Sequence, residues 1–239
     1  MGLKAVILAA GRGERLSPKT DEVPKPLLPL GGKPLTMHLL LRLAEAGVKE
    51  FIIVVGYLGE VVRRGLSSVK DLGIDVRWVV NPNYLLGNAY SLLCAERSLL
   101  KDYFFLLSMS DHLFEGFIIN NILNEFDGEP LISVDRDPRY LLDVREATKV
   151  KICERGYVRD IGKEISDWDA VDMGLFILDK SIFRVIREFK GKPAPLSRCM
   201  KRWIDETGLR ACESTGRLWL DVDTPEDLER AEMMMESWT

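Results

Sequence analysis

LAAGRGERLSPKTDEVPKPLLPLGGKPL, residues 8–35, begins where the apolar run Leu3–Leu8 stops. Glycines placed directly after a strand let backbone N–H groups approach a ligand, because no Cβ stands in the way. Arg15 and Lys25 follow within a few turns of chain. A guanidinium forks onto phosphate oxygens and an ammonium supplies a compact charge, so the stretch carries the chemistry of a polyphosphate site. Pro24 and Pro26 flank Lys25 and stiffen the segment that presents it. Two common glycine loops fit poorly. A P-loop needs Gly-Lys followed by Ser or Thr, whereas Gly32-Lys33 runs into Pro34. A dinucleotide fingerprint needs Gly or Ala at its third position and an acid after the second strand. Gly11 and Gly13 match it, but Leu16 takes the third position and the second apolar run ends at Gly56.

Working outward, the runs LKAVIL, FIIVVG, IDVRWVV and YFFLLSM alternate with stretches of helical spacing. Leu39, Leu40, Leu43 and Ala44 mark one such helix, which Gly47 can end. Strand alternating with helix predicts an α/β fold with a mostly parallel sheet covered on both faces. Ligands of such sheets lie outside the carboxyl ends of the strands, where the Gly11 loop and Asp111 both fall. After about residue 130 the strands become shorter and more polar: PLISVDRDP, TKVKICERG and YVRDIGKEI, with a turn at Arg155-Gly156. GLFILDKSIFRVIREF reads as a strand and a helix, and PLSRCMKRWIDETG as another helix. RLWLDVDTPEDLERAEMMM gives a last strand, a turn and a helix, with Thr224, Pro225 and Asp227 at the spacing of a capping box. No linker or internal repeat interrupts the chain, so residues 1–239 read as one domain with a substrate-facing subregion at about 130–170.

The net charge of -4 gives no global attraction for nucleic acid or anionic lipid; any polyanion must be held by local cations. Cys94, Cys153, Cys199 and Cys212 form no C-x-x-C pair, which argues against a zinc site, and scattered reduced thiols fit the cytoplasm. The apolar N-terminal stretch is too short for a signal peptide, and no run reaches the ~18 apolar residues of a membrane-spanning helix. The sequence contains no Gln; scarcity of thermolabile amides is a thermophile signature.

LAAGRGERL, VPKPLLPL and GKPL together resemble the signature of the nucleotidyltransferases that make sugar nucleotides, the sugar-1-phosphate pyrophosphorylases. The resemblance spans nearly the whole chain. It implies a Rossmann-like nucleotidyltransferase fold, a mixed but mostly parallel central sheet of about seven strands flanked by helices. It implies that Leu8, Ala9, Ala10, Gly11, Arg12 and Gly13 bind the nucleotide, and that Arg15 and Lys25 act on its phosphates. It places Mg²⁺ on Asp111 and Asp223, with Asp221 an open alternative to the latter. Asn81 matches a position that contacts the base edge and Gly87 one that packs on it; Asn81 can equally cap a turn before Pro82. Lys163 matches a lysine on the acceptor phosphate and Asp172 a residue on acceptor hydroxyls. His112 reads as a support for Asp111, and His38 as a helix residue. Arg136, Arg139 and Tyr140 fall in VDRDPRYLLD, near the implied acceptor pocket, and none is singled out.

Within that family, Asn81 together with SMSDHLF and SDWDAVDMGLFIL is similar to the cytidylyltransferase branch, and more narrowly to the CTP:inositol-1-phosphate cytidylyltransferases. That subgroup feeds synthesis of di-myo-inositol phosphate, a solute of heat-loving organisms, and the missing glutamines agree with the setting. The implied substrates are a nucleoside triphosphate and a phosphomonoester, with no nucleic acid. A membrane phosphotransferase is often fused to this domain in the subgroup; the present sequence shows no membrane segment. Hexose-1-phosphate uridylyl- or thymidylyltransferase and choline-phosphate cytidylyltransferase are the alternatives within the family. A non-catalytic nucleotide sensor is the alternative outside it, opposed by the joint presence of Lys25, Asp111 and Asp223.

Overall fold

The computed structural model describes residues 2–141, 143–189 and 191–237. Its frame is a run of four parallel strands: β1 (Lys4–Ala9), β2 (Glu50–Val55), β3 (Asp75–Val80) and β4 (Phe104–Met109), in spatial order β4-β1-β2-β3. Side chains alternate across a pleated strand. Ala5, Ile7 and Ala9 of β1 therefore enter one core, while Val6 and Leu8 enter another on the opposite face. Helix α1 (Leu35–Glu45) seals the first face with Leu39, Leu40 and Leu43. Helix α2 (Gly59–Gly65) adds Val62 to the same core. Helix α3 (Asn88–Ala95) seals the second face with Ala89, Leu92 and Ala95. Strands buried on both faces read as continuous apolar runs. Gly47, at φ 95°, ends α1 as its left-handed residue.

Helix α4 (Gly116–Glu125) leads into the antiparallel half. There β5 (Leu131–Asp135), β6 (Lys149–Ile152), β7 (Val158–Gly162) and β8 (Ala170–Asp179) extend the sheet beyond β4. The ten-residue β8 is the junction, running antiparallel to β4, β5 and β6. Helices α5 (Ile182–Glu188) and α6 (Leu196–Thr207) cover this half, strand β9 (Arg210–Glu213) pairs in parallel with β5, and helix α7 (Pro225–Ser237) ends the described chain. Thr224 and Asp227 bond reciprocally at the start of α7, as the capping-box spacing requires.

Among the described residues the main sheet has nine strands rather than about seven. The apolar run Trp219–Asp221 does not join it. That run pairs antiparallel with His112–Phe114 in a separate ribbon, and the sheet position beside β5 goes to Arg210–Glu213, a stretch of mixed polarity.

Candidate active site

Four segments meet at the carboxyl ends of β1 and β4. The loop after β1 passes through Gly13, whose φ of 67° lies in the left-handed region. A Cβ there would stand 2.8 Å from Cβ of Lys25, so glycine at this point is what lets the lysine stem lie against the loop. Thr20 Oγ1 donates to the Gly13 carbonyl at 2.9 Å and fixes the turn. Leu8, Ala9 and Ala10 are buried, while Gly11 and Arg12 are exposed. The Arg12 guanidinium sits over the Tyr57 ring at 5.2 Å and pairs with Glu14.

Lys25 is 6% exposed in a chain whose lysines are otherwise mostly solvated. Its Nζ donates to Asp111 Oδ2 at 2.5 Å and to Asp223 Oδ1 at 2.7 Å. Arg15 donates to the other Asp223 oxygen. Asp111 follows β4, and Ser110 N–H donates back to the Leu8 carbonyl at 3.0 Å. The two late aspartates arrive through the small ribbon. Its register sets Asp221 opposite His112, and Val222 N–H donates to the Asp111 carbonyl at 3.1 Å. His112 Nδ1–H donates to Asp111 Oδ1 at 2.8 Å.

Burial opposes charge on every member of this group, and their mutual charges decide the outcome. For Lys25, the carboxylates of Asp111, Asp221 and Asp223 outweigh burial and hold the ammonium well above its ordinary range. For Asp111, Lys25 and His112 outweigh it and hold the carboxyl far below. His112 is pushed up to about 9 despite burial, chiefly by the Asp221 charge and the bond to Asp111. Asp221 goes the other way. Burial raises it, and Asp111 and Asp223 add to the effect against His112 and Lys25.

About a third of the Asp221 side chain is exposed, yet its Oδ1 is enclosed and no described residue hydrogen-bonds it. Enclosed polar atoms normally have partners. Ligand atoms of Asp111, His112 and Asp221 lie within 4.8 Å of one another. A divalent cation takes carboxylate oxygens, and the orphaned oxygen beside a second carboxylate is what such an ion requires. The residues present therefore fit a divalent cation, with the orphaned Asp221 oxygen open to it beside Asp111. Asp111 and Asp223 both have their two oxygens engaged, Asp111 by Lys25 and His112 and Asp223 by Lys25 and Arg15, so Asp221 carries the open oxygen.

A cavity of about 520 Å³ opens beside this group, walled by Arg15, Glu146, Lys163, Asp172, Asp221 and Asp223. Lys163 is half exposed and pairs with Glu146 at 3.4 Å. Asp172 accepts the Gly174 N–H at 2.7 Å, and burial pushes its carboxyl up to about 7. Gly174, at φ 76°, breaks the pairing of β8 with β5. A Cβ on it would fall on the His112 imidazole. Gly174→Ala combines that overlap with a left-handed backbone and is expected to destabilise by about 2–4 kcal/mol, read as a fall in Tm. An unchanged Tm would show that His112 does not depend on this space.

Asn81 and Gly87 lie in the connection between β3 and α3. Asn81 is 1% exposed, and its amide donates to Ser91 Oγ and accepts from the Asn83 N–H. It closes the turn around Pro82. Gly87, at φ 91°, packs on the Ala194 carbonyl, which would be 2.8 Å from an added Cβ. Arg136 and Arg139 pair with Glu213 and Asp137, and none of Arg136, Arg139 and Tyr140 lines the cavity. His38 lies in α1 and bonds the Leu30 carbonyl. The sequence reading passed over Glu146 and Trp219, both in the cavity wall; an isolated acid, or an indole in a short apolar strand, carries no signal until the fold juxtaposes it.

A glycine loop, an enclosed lysine and strand-end carboxylates on a Rossmann-like sheet define a nucleotide-handling transferase site. The profile of the family described as Nucleotidyl transferase matches residues 4–130, and the chain belongs to that family. It is 38% identical over 229 residues to the bifunctional IPC transferase and DIPP synthase of Aquifex aeolicus, covering 95% of this chain and 50% of that one. The protein of the same name from Archaeoglobus fulgidus is 37% identical over 236 residues, covering 98% and 44%. The chain thus spans about half the length of the curated relatives it matches. Among solved structures, the inositol-1-phosphate CTP transferase from T. maritima superposes with a TM-score of 0.86 at 28% identity, covering 98% of this chain and 95% of that one. No helix among the described residues is long and apolar enough to cross a membrane.

Proposed function

We propose that this chain transfers the cytidylyl group of CTP to inositol-1-phosphate, releasing pyrophosphate, with Mg²⁺ as the cation. The observation that carries the reading is the enclosed Lys25 bridging Asp111 and Asp223 beside an open cavity. Agreement in name between the sequence relatives and the T. maritima structure supports the choice of substrates. Residues 1–239 act in this reading as one nucleotidyl transferase domain, with the segment around 130–170 facing the acceptor.

An oxygen of the acceptor phosphate attacks the α-phosphorus in line, the bond to the bridging oxygen breaks, and pyrophosphate leaves with the electron pair. A phosphomonoester is already largely dianionic at neutral pH, so no strong general base is needed. The work is positioning and charge neutralisation. Backbone N–H groups of residues 8–13, with Arg12, receive the triphosphate. Arg15 and Lys25 face the charge that grows on the α-phosphate; the surrounding carboxylates keep Lys25 protonated at any working pH. When bound on Asp111 and Asp221, Mg²⁺ supplies Lewis acidity at the reacting phosphoryl group. Lys163 receives the acceptor phosphate. Asp172, held near neutrality by burial, both donates to and accepts from polyol hydroxyls. Asn81 and Gly87 enter through the turn they build at the nucleoside side.

The test is ³¹P NMR of CTP mixed with inositol-1-phosphate, Mg²⁺ and the protein. Paired diphosphate-diester resonances and free pyrophosphate are expected in equal amounts. Hydrolysis of CTP to CMP with no diester would overturn the transfer reading.

A further inference from the structure

Asp135 closes β5 and is completely enclosed, yet no step above uses it. Its Oδ2 accepts the Trp219 indole N–H at 2.9 Å. Its Oδ1 accepts the Asp137 N–H at 2.9 Å and the Gly216 N–H at 3.4 Å. A carboxylate out of water is unfavourable unless hydrogen bonds replace its hydration, and three N–H donors from two segments do so here. One segment is the 135–137 turn, where Asp135 also faces Val171 of β8, the residue before Asp172. The other leads into the ribbon, where Trp219 faces Phe114 and Asp221 faces His112. Arg136 bolts the same two segments together, its N–H donating to Thr215 Oγ1 and its guanidinium to Glu213. The acceptor-side strand and the strand that carries Asp221 therefore meet at one buried carboxylate.

We infer that Asp135 is a positioning residue, which through the Trp219 indole N–H fixes where Asp221 stands and so sets the affinity of the divalent-cation site. The inference does not rest on the proposed reaction; the cation site is read from the geometry of Asp111 and Asp221. Asparagine cannot replace Asp135 silently. An amide has one acceptor oxygen, so its NH₂ must face either the indole N–H or the two backbone N–H groups. Trp219→Phe keeps the ring against Phe114 and removes only the donor.

The experiment measures Mn²⁺ binding to the nucleotide-free protein by electron paramagnetic resonance, alongside the Trp219 indole N–H resonance and Tm. Asp135→Asn and Trp219→Phe are each expected to weaken Mn²⁺ by 10–100-fold, the range seen when partners of metal ligands are removed. The indole resonance of Asp135→Asn should move upfield as its charged acceptor is lost. The double variant should weaken Mn²⁺ no more than the stronger single one, because both changes break one link. Arg136→Ala, which loosens the same loops without touching that link, should lower Tm and leave Mn²⁺ affinity within twofold. Wild-type Mn²⁺ affinity in folded Trp219→Phe, or strictly multiplicative effects of the two variants, overturns the inference. Wild-type protein that binds Mn²⁺ but transfers no nucleotidyl group refutes the proposed reaction and leaves this inference standing.

Discussion

Lys25→Met will lower kcat by about 10²–10³-fold, the loss typical when one donor to developing transition-state charge is removed. The KM for the nucleotide will change far less, because in the proposed reaction the ammonium faces the charge that grows while the loop of residues 8–13 receives the ground-state triphosphate. The same change will reduce stability in the absence of divalent cation. Among the described residues Lys25 and His112 are the cations bonded to Asp111, and Lys25 and Arg15 those bonded to Asp223. Breaking an enclosed pair from one side costs roughly 3 kcal/mol, a drop of about 10 °C in a domain of this size. Added Mg²⁺ will recover part of that drop in the variant, since it takes over neutralisation of Asp111. A variant with normal kcat and only a raised KM would make Lys25 an ordinary binding lysine.

Asp221→Asn will raise the Mg²⁺ concentration needed for half-maximal turnover by about 10–100-fold. Asp223→Asn will lower kcat with a smaller change in Mg²⁺ dependence, because its oxygens hold Lys25 and Arg15. The metal-free proteins give the opposite sign. Burial raises the Asp221 carboxyl to about 7, whereas an unfolded Asp titrates near ~3.9. The folded state thus holds a proton that the unfolded state releases, and native stability falls as pH climbs between those values. In EDTA at pH 8, Asp221→Asn will therefore melt higher than wild type, and in excess Mg²⁺ it will lose that advantage. A variant that melts lower in EDTA and titrates Mg²⁺ normally would move the cation to Asp223.

Much of this was legible because of where charge interrupts apolar runs. Parallel strands buried on both faces announced β1, β2 and β4, and Asp111 stood out as an acid placed just past the last of them. The ribbon was not legible. Three-residue strands have no periodicity, and only their register, Asp221 opposite His112, gives different surroundings to two aspartates that are two residues apart. The amide of Asn81 turned inward for a similar reason: whether it faces a ligand or its own turn depends on Ser91, ten residues on. The fit of His112 against Gly174 rests on a single left-handed backbone angle far along the chain, which no local pattern encodes. Asp135 was hidden in VDRDP among acids of the ordinary solvated kind, and only its three N–H donors set it apart.

The most direct measurement of the central claim is initial pyrophosphate release across a matrix of substrates at elevated temperature. CTP, UTP, dTTP, ATP and GTP are crossed with inositol-1-phosphate, choline phosphate, glucose-1-phosphate and mannose-1-phosphate. The account predicts the highest kcat/KM for CTP with inositol-1-phosphate. A site that pairs with the cytosine edge leaves groups unpaired against uracil, at about 1–3 kcal/mol each, so UTP should be slower by about one to two decades. Fastest release with UTP or dTTP and glucose-1-phosphate would contradict the substrate assignment, and no release from any pair despite nucleotide binding would contradict transfer itself.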